Sequence, residues 1–119
     1  MGQTINMSIQ SLQQAQAVFA KDRNWEQFHS IRNLTLALVG EVGELAEVIQ
    51  WEGEIDSRFF ADFPAKGQAF KEEMADVFLY ILRLADVAEI DIEKEAEAKI
   101  LINANKYPIE ESYGNSTKR

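Results

Sequence analysis

Two pairs of carboxylates stand three residues apart in this chain, Glu41 with Glu44 and Glu73 with Asp76. On a helix that spacing makes the members of each pair neighbours on one face. On a wheel turning about 100° per residue, Glu41 falls inside an apolar arc, between Leu34 and Val48, and Glu44 lies at its edge. Glu73 falls beside Leu84, with Asp76 and Tyr80 flanking it. An ionised carboxylate among apolar neighbours is costly unless it is paired or binds a cation. Few lysines or arginines stand near these positions. Two such helices face to face would bring up to four carboxylates together, and repulsion would raise their pKa values unless a cation fills the gap. All-oxygen ligands select a hard cation such as magnesium or manganese. The one Glu-x-x-His, Glu26 to His29, lies outside both acidic pairs, so the di-iron bundle pattern, which takes two such motifs, is absent. Any one of these residues alone reads as part of a solvated helix face. The two pairs together, on the inward edges of adjacent helices, read as a metal site.

The elements that must position these residues are helical. A first helix is expected from about Ser8 to Lys21, with Ile9, Leu12, Ala15 and Phe19 at helical spacing. Asn24 could cap a short turn, with Gln27 three residues on, and Ser30 a long helix ending near Trp51. That helix carries Leu34, Leu38, Val42, Leu45 and Ile49 as its stripe. Residues 52–65 read as an aromatic connection closed by Pro64, with Phe59, Phe60 and Phe63 in subunit or loop packing. A third helix is expected from about Lys66 to Ala88, with Phe70, Met74, Val77, Ile81 and Leu84 on one face. A fourth runs from a cap at Asp91 to a stop before Pro108. No alternation or hairpin signal suggests a strand. The expected fold is therefore all-α, a four-helix bundle in a single domain over residues 1–108. A polar, loose tail is expected over 109–119.

Length and composition bound the function. The chain has 119 residues, 46% of them apolar, and no cysteine, which excludes disulfides, thiolate metal sites and a cysteine nucleophile. No signal peptide is read at the N-terminus, and no apolar run approaches the roughly 20 residues that span a bilayer. No membrane partner and a cytoplasmic location are expected. A net charge of −8 argues against nucleic acid as a partner. It is compatible with a triphosphate provided a divalent cation stands between the two sets of negative charge.

One stretch contains Arg32-Asn33-Leu34, then Leu36-Ala37-Leu38-Val39-Gly40-Glu41-Val42-Gly43-Glu44-Leu45-Ala46-Glu47, and ends at Gln50-Trp51. It resembles the MazG-like all-α pyrophosphohydrolases, and within them the dCTP pyrophosphatase subgroup. Glu72-Glu73-Met74-Ala75-Asp76-Val77 with Tyr80 completes the E-x-x-E … E-x-x-D pattern. Arg23-Asn24-Trp25-Glu26-Gln27-Phe28-His29 upstream is similar to the subgroup too, as is Asn103 before Asn105-Lys106-Tyr107-Pro108. The resemblance covers roughly residues 16–108. It implies magnesium ligation by Glu41, Glu44, Glu73 and Asp76. It implies a base pocket using Trp25 and Trp51, with Gln16, Gln27, Phe28 and His29 nearby, and triphosphate or sugar contacts from Tyr80, Lys99 and Asn103. A homodimer or homotetramer whose sites draw on more than one subunit is also implied. Gln16 is a departure, standing where such relatives often have histidine.

The reaction implied is hydrolysis of a deoxynucleoside triphosphate, dCTP or a modified dCTP, to the monophosphate and pyrophosphate, with Glu41 or Glu44 taking the proton from the attacking water. The alternatives are the same reaction on dUTP or dATP, or a non-catalytic helical oligomer that binds nucleotide. Several of these residues also have plainer roles open to them. The tryptophans could be core or interface, His29 a packing residue, and Lys99 an i, i+4 partner of Glu95. Asn103 could simply loosen a helix end, and Glu47 reads as support for the carboxylates.

Overall fold

Three of the four long helices begin at a side chain that accepts from an otherwise unpaired backbone N–H. The computed structural model describes residues 8–118. Helix α1 (Ile9–Asp22) starts at Ser8, whose hydroxyl accepts from the Ser11 N–H at 3.1 Å. Helix α2 (Ile31–Ile49) starts at Ser30, which accepts from the Asn33 N–H at 3.0 Å. Between them lies a 3-10 turn, Glu26–Phe28. Asn24 does not cap that turn with its side chain. It takes a left-handed backbone, φ 56°, which asparagine tolerates better than most residues. Gln27 Nε2 donates to its carbonyl at 2.9 Å.

The aromatic connection holds a one-turn helix that the sequence pattern does not announce, α3 (Phe59–Asp62). Pro64 opens helix α4 (Pro64–Val87) rather than closing the connection, because a missing N–H costs nothing at a first helical position. Gly67 makes the join possible. A Cβ there would lie 2.9 Å from Phe60 Cδ1 and 3.0 Å from Phe60 Cα, closer than packed carbons approach. Phe59 contacts both Phe60 and Phe63, and Phe60 contacts Phe70, with ring centroids 5.5–5.7 Å apart. Phe59 is buried, so this cluster packs α3 onto α4.

Helix α4 is central and touches α1, α2 and α3. The buried apolar residues are Ala20, Leu34, Phe59, Leu82 and Ala85. Two glutamines tie α1 to α4: Gln13 Nε2 donates to the Leu82 carbonyl at 2.9 Å and Gln16 Nε2 to the Leu79 carbonyl at 3.0 Å. The stripe expected on α4 is half-buried apart from Met74, which is exposed, while Leu82 and Ala85 lie deepest. A helix with neighbours on several sides has no single buried face.

Contacts divide the chain after Ala88. The second unit holds α5 (Ile92–Lys106), capped by Asp91 accepting from the Lys94 N–H at 3.1 Å, and α6 (Ile109–Ser112). The one-turn α6 stands where a loose tail was expected. Pro108, extended and without an N–H, separates it from α5. Among the described residues there is no strand, and no helix is long and apolar enough to cross a membrane.

Candidate active site

Helices α2 and α4 pack together and carry the two acidic pairs. One carboxylate oxygen each from Glu41, Glu73 and Asp76 lies within 4.8 Å of the other two. Glu41 and Glu73 are half-buried; Asp76 and Glu44 are exposed. Oε2 of Glu41 and Oε2 of Glu73 are both buried without a hydrogen-bond partner. Burial pushes the Glu41 carboxyl above its ordinary pKa, reinforced by the charge of Glu44, a hydrogen bond with it, and then by Asp76 and Glu73. Glu73 is raised for the same leading reasons: burial, then Glu44, then Asp76 and Glu72. Glu44 thus stands beside both half-buried carboxylates. Tyr80, one turn beyond Asp76, is held in its neutral form by burial and by the negative charge of Glu41, Asp76 and Glu44.

Orphaned buried oxygens on converging carboxylates are the expected signature of a cation site, since folding alone gives no return for desolvating like charges together. The donor set is all oxygen and acidic, which fits magnesium or manganese. These residues could hold such an ion.

Beside the carboxylates lies a cavity of about 460 Å³ in the first unit. Its walls come from α1, α2, α4 and the segment before α2, and they include Gln16, Trp25, His29, Asp76, Tyr80 and Arg83. Asp76 and Tyr80 join it to the acidic cluster. Trp25 meets the edge of Phe19 at 5.6 Å between centroids, and the Arg23 guanidinium covers the Phe19 ring at 3.5 Å. Most of the lining is apolar, with a few polar groups, the usual make-up of a small-molecule site.

Of the residues expected to bind substrate, Gln16, Trp25, His29 and Tyr80 line this cavity. Gln27 and Phe28 belong to the exposed 3-10 turn, and Trp51, 90% exposed, lies just past the end of α2; none of the three is among the lining residues. Lys99 and Asn103 are exposed on α5 of the second unit. Arg83 was not anticipated. It follows Asp76 and Tyr80 at i+7 and i+3, so the helical period of that face was the available signal.

Residues 29–108 match the model of the MazG nucleotide pyrophosphohydrolase domain. Over 111 residues the chain is 40% identical to a Rattus norvegicus protein named dCTP pyrophosphatase 1, covering 93% of this chain and 65% of that one. The Homo sapiens protein of the same name is 39% identical, with the same 93% and 65% coverage. The chain therefore spans just under two thirds of the length of these relatives. The crystal structure of a pyrophosphatase from Archaeoglobus fulgidus has a TM-score of 0.75 at 30% identity, over 91% of this chain and 99% of that one.

Proposed function

Because this chain belongs to the MazG nucleotide pyrophosphohydrolase domain family, we propose that it hydrolyses a deoxynucleoside triphosphate, dCTP or a modified dCTP, to the monophosphate and pyrophosphate with magnesium. The observation that carries this reading is the convergence of Glu41, Glu73 and Asp76 within 4.8 Å, two of them with orphaned buried oxygens, beside a cavity of about 460 Å³.

Glu41, Glu73 and Asp76 would hold the ion, with Glu44 beside them as a fourth ligand. Magnesium, or manganese in its place, neutralises charge on the triphosphate and polarises the α–β linkage when bound. Trp25, braced by Phe19, offers a ring for the base, a stacking contribution of about 1–3 kcal/mol. Water attacks a phosphorus of the α–β linkage in line and the bridging P–O bond breaks, releasing pyrophosphate. Glu41 or Glu44 accepts the proton. The exposed Glu44, next to the convergent three, is the better placed of the two. Tyr80 keeps its phenolic proton and donates it to a phosphate oxygen or the sugar. Lys99 and Asn103 are assigned to triphosphate or sugar by family resemblance, as Gln27, Phe28 and Trp51 are to the base.

A homodimer or homotetramer completes the assignment. Leu36, Val39 and Val42 are exposed on α2, and few apolar side chains are buried within the single chain. An apolar stripe of this kind is better matched to a second copy than to water. The cytoplasm, which holds the nucleotide pool, is the proposed location, and removal of unwanted nucleotides the proposed role.

The test is pyrophosphate release from a panel of deoxynucleoside and ribonucleoside triphosphates, each with magnesium and with EDTA. Metal-dependent release is expected. Folded protein that releases none from any nucleotide would replace catalysis with nucleotide binding alone.

A further inference from the structure

Two polar side chains in the cavity could each face either way, and each is held by a partner that allows only one way. The Leu79 carbonyl can only accept, so the Gln16 group 3.0 Å from it is the NH2, and the amide oxygen remains as an acceptor. A guanidinium can only donate, so Nδ1 of His29, 3.0 Å from Arg83 Nε, is the unprotonated nitrogen of that ring. Neutral imidazole carries one proton, which must then sit on Nε2. The ring stays neutral near neutral pH, because burial and then the Arg83 charge lower its pKa, against a smaller upward pull from Glu26.

Arg83 is unusual in its own right. It is 8% exposed, and its ion pair, Nη1 to Asp86 Oδ2 at 3.3 Å, is with a side chain 40% exposed to water. Desolvating a guanidinium is expensive, and this one is placed in the wall of the cavity rather than snorkelling to the surface. Arg83 and His29 together offer N–H donors to a bound molecule, and the one acceptor between them is already occupied by their own hydrogen bond.

We propose that Arg83 is a positioning residue that locks His29 as an Nε2–H donor, and that this donor-only pair selects nucleobases bearing a carbonyl. The inference rests on the reading that the cavity holds the base. Cytosine, uracil, thymine and guanine each carry a ring carbonyl, whose oxygen has two lone pairs and can accept from both donors at once; adenine offers only ring nitrogens with one lone pair each, so one donor is left unmatched. A site built to hydrogen-bond a group rejects an analogue lacking it far more strongly than an apolar pocket rejects a change of size. dATP is thereby set apart from dCTP and dUTP as a substrate.

His29 is the only histidine in the chain, so its ring nitrogens can be followed alone. In long-range 1H–15N spectra of the full-length protein, the wild type is expected to show a protonated Nε2 and a bare Nδ1. Arg83→Lys, which keeps a donor, preserves that pattern; Arg83→Met averages the tautomers. Added dCMP shifts the Nε2 resonance, and dAMP at equal concentration does not. In turnover, kcat/KM for dCTP exceeds that for dATP by at least about tenfold, and Arg83→Met narrows the gap through KM for dCTP. Should Arg83→Met lose its helical circular dichroism, His29→Phe, which removes the donor itself, must narrow the same gap. A wild-type ring protonated on Nδ1, equal response to dCMP and dAMP, or an unchanged tautomer and ratio in a folded Arg83→Met variant would each overturn the proposal. If no triphosphate is cleaved, hydrolysis fails as the function, while the dCMP and dAMP spectra still decide this inference.

Discussion

The acidic cluster beside the cavity and the Arg83–His29 pair in its wall are built on opposite terms. In the cluster, Glu41 and Glu73 bury oxygens that nothing in the chain answers, and like charges crowd one another. In the pair, Arg83 is buried more deeply than either glutamate, yet it donates to His29 and pairs with Asp86. A buried polar group without a partner points outward to a ligand that must complete it. A buried polar group with a partner has its direction settled before any ligand arrives. On the proposed function, the first arrangement binds and the second discriminates.

The largest expected effect breaks the acidic cluster. Glu41→Gln should lower pyrophosphate release by at least about 100-fold, while helical circular dichroism and assembly stay near wild type. Retained turnover would remove Glu41 from the metal site. Next is the ion itself. At about 100 times its Kd, magnesium should stabilise the fold by about 2.7 kcal/mol, read as a rise in thermal midpoint that Glu41→Gln abolishes. A smaller effect asks whether the cavity walls account for all base recognition. Trp51→Ala should weaken nucleotide binding by about 1–3 kcal/mol, with a change in folding stability within about 0.5 kcal/mol because the ring is 90% exposed. Unchanged affinity would confine recognition to the cavity.

The smallest effect is in pH dependence and has a definite sign. Burial and Glu44 raise the folded-state pKa of Glu73 above its unfolded value. Its protonated form therefore favours folding below the unfolded value, and that contribution is lost as pH rises through the higher folded value. In EDTA, wild type should match Glu73→Gln in thermal midpoint at low pH and fall behind it towards neutrality. Magnesium should close the difference for wild type by answering the charge. A gap that is constant with pH would mean that Glu73 is not strained by its neighbours.

Particular residues show where local pattern is a sound guide. Ser8, Ser30 and Asp91 cap helices as their types and positions suggest, because capping involves only the next few residues. Asn24 does not, since whether its side chain or its backbone makes the turn depends on how α1 ends at Arg23 and where Gln27 returns. The α3 turn was hidden among aromatics whose helical state follows from packing onto α4 beside Gly67. The half-burial of Glu41 and Glu73 was legible because it follows from their place beside apolar residues on a wheel, while Glu44 and Asp76, at the edges of those arcs, are exposed. Arg83 was not legible, since an arginine within an apolar stretch ordinarily bends its head to water.

The amino-acid sequence by itself determined that the described residues form helices and no strand, that helices begin after Ser8, Ser30 and Asp91, and that Glu41 and Glu73, one from each acidic pair, turn toward the interior; each of these follows from residue type and period over a few turns. Tertiary structure alone decided that three of the carboxylates converge within 4.8 Å, that Gln16 and His29 have their hydrogen-bonding directions settled by α4, and that Arg83 turns into the cavity. Those facts depend on which residues of distant helices come within hydrogen-bonding reach, and no local period encodes that distance.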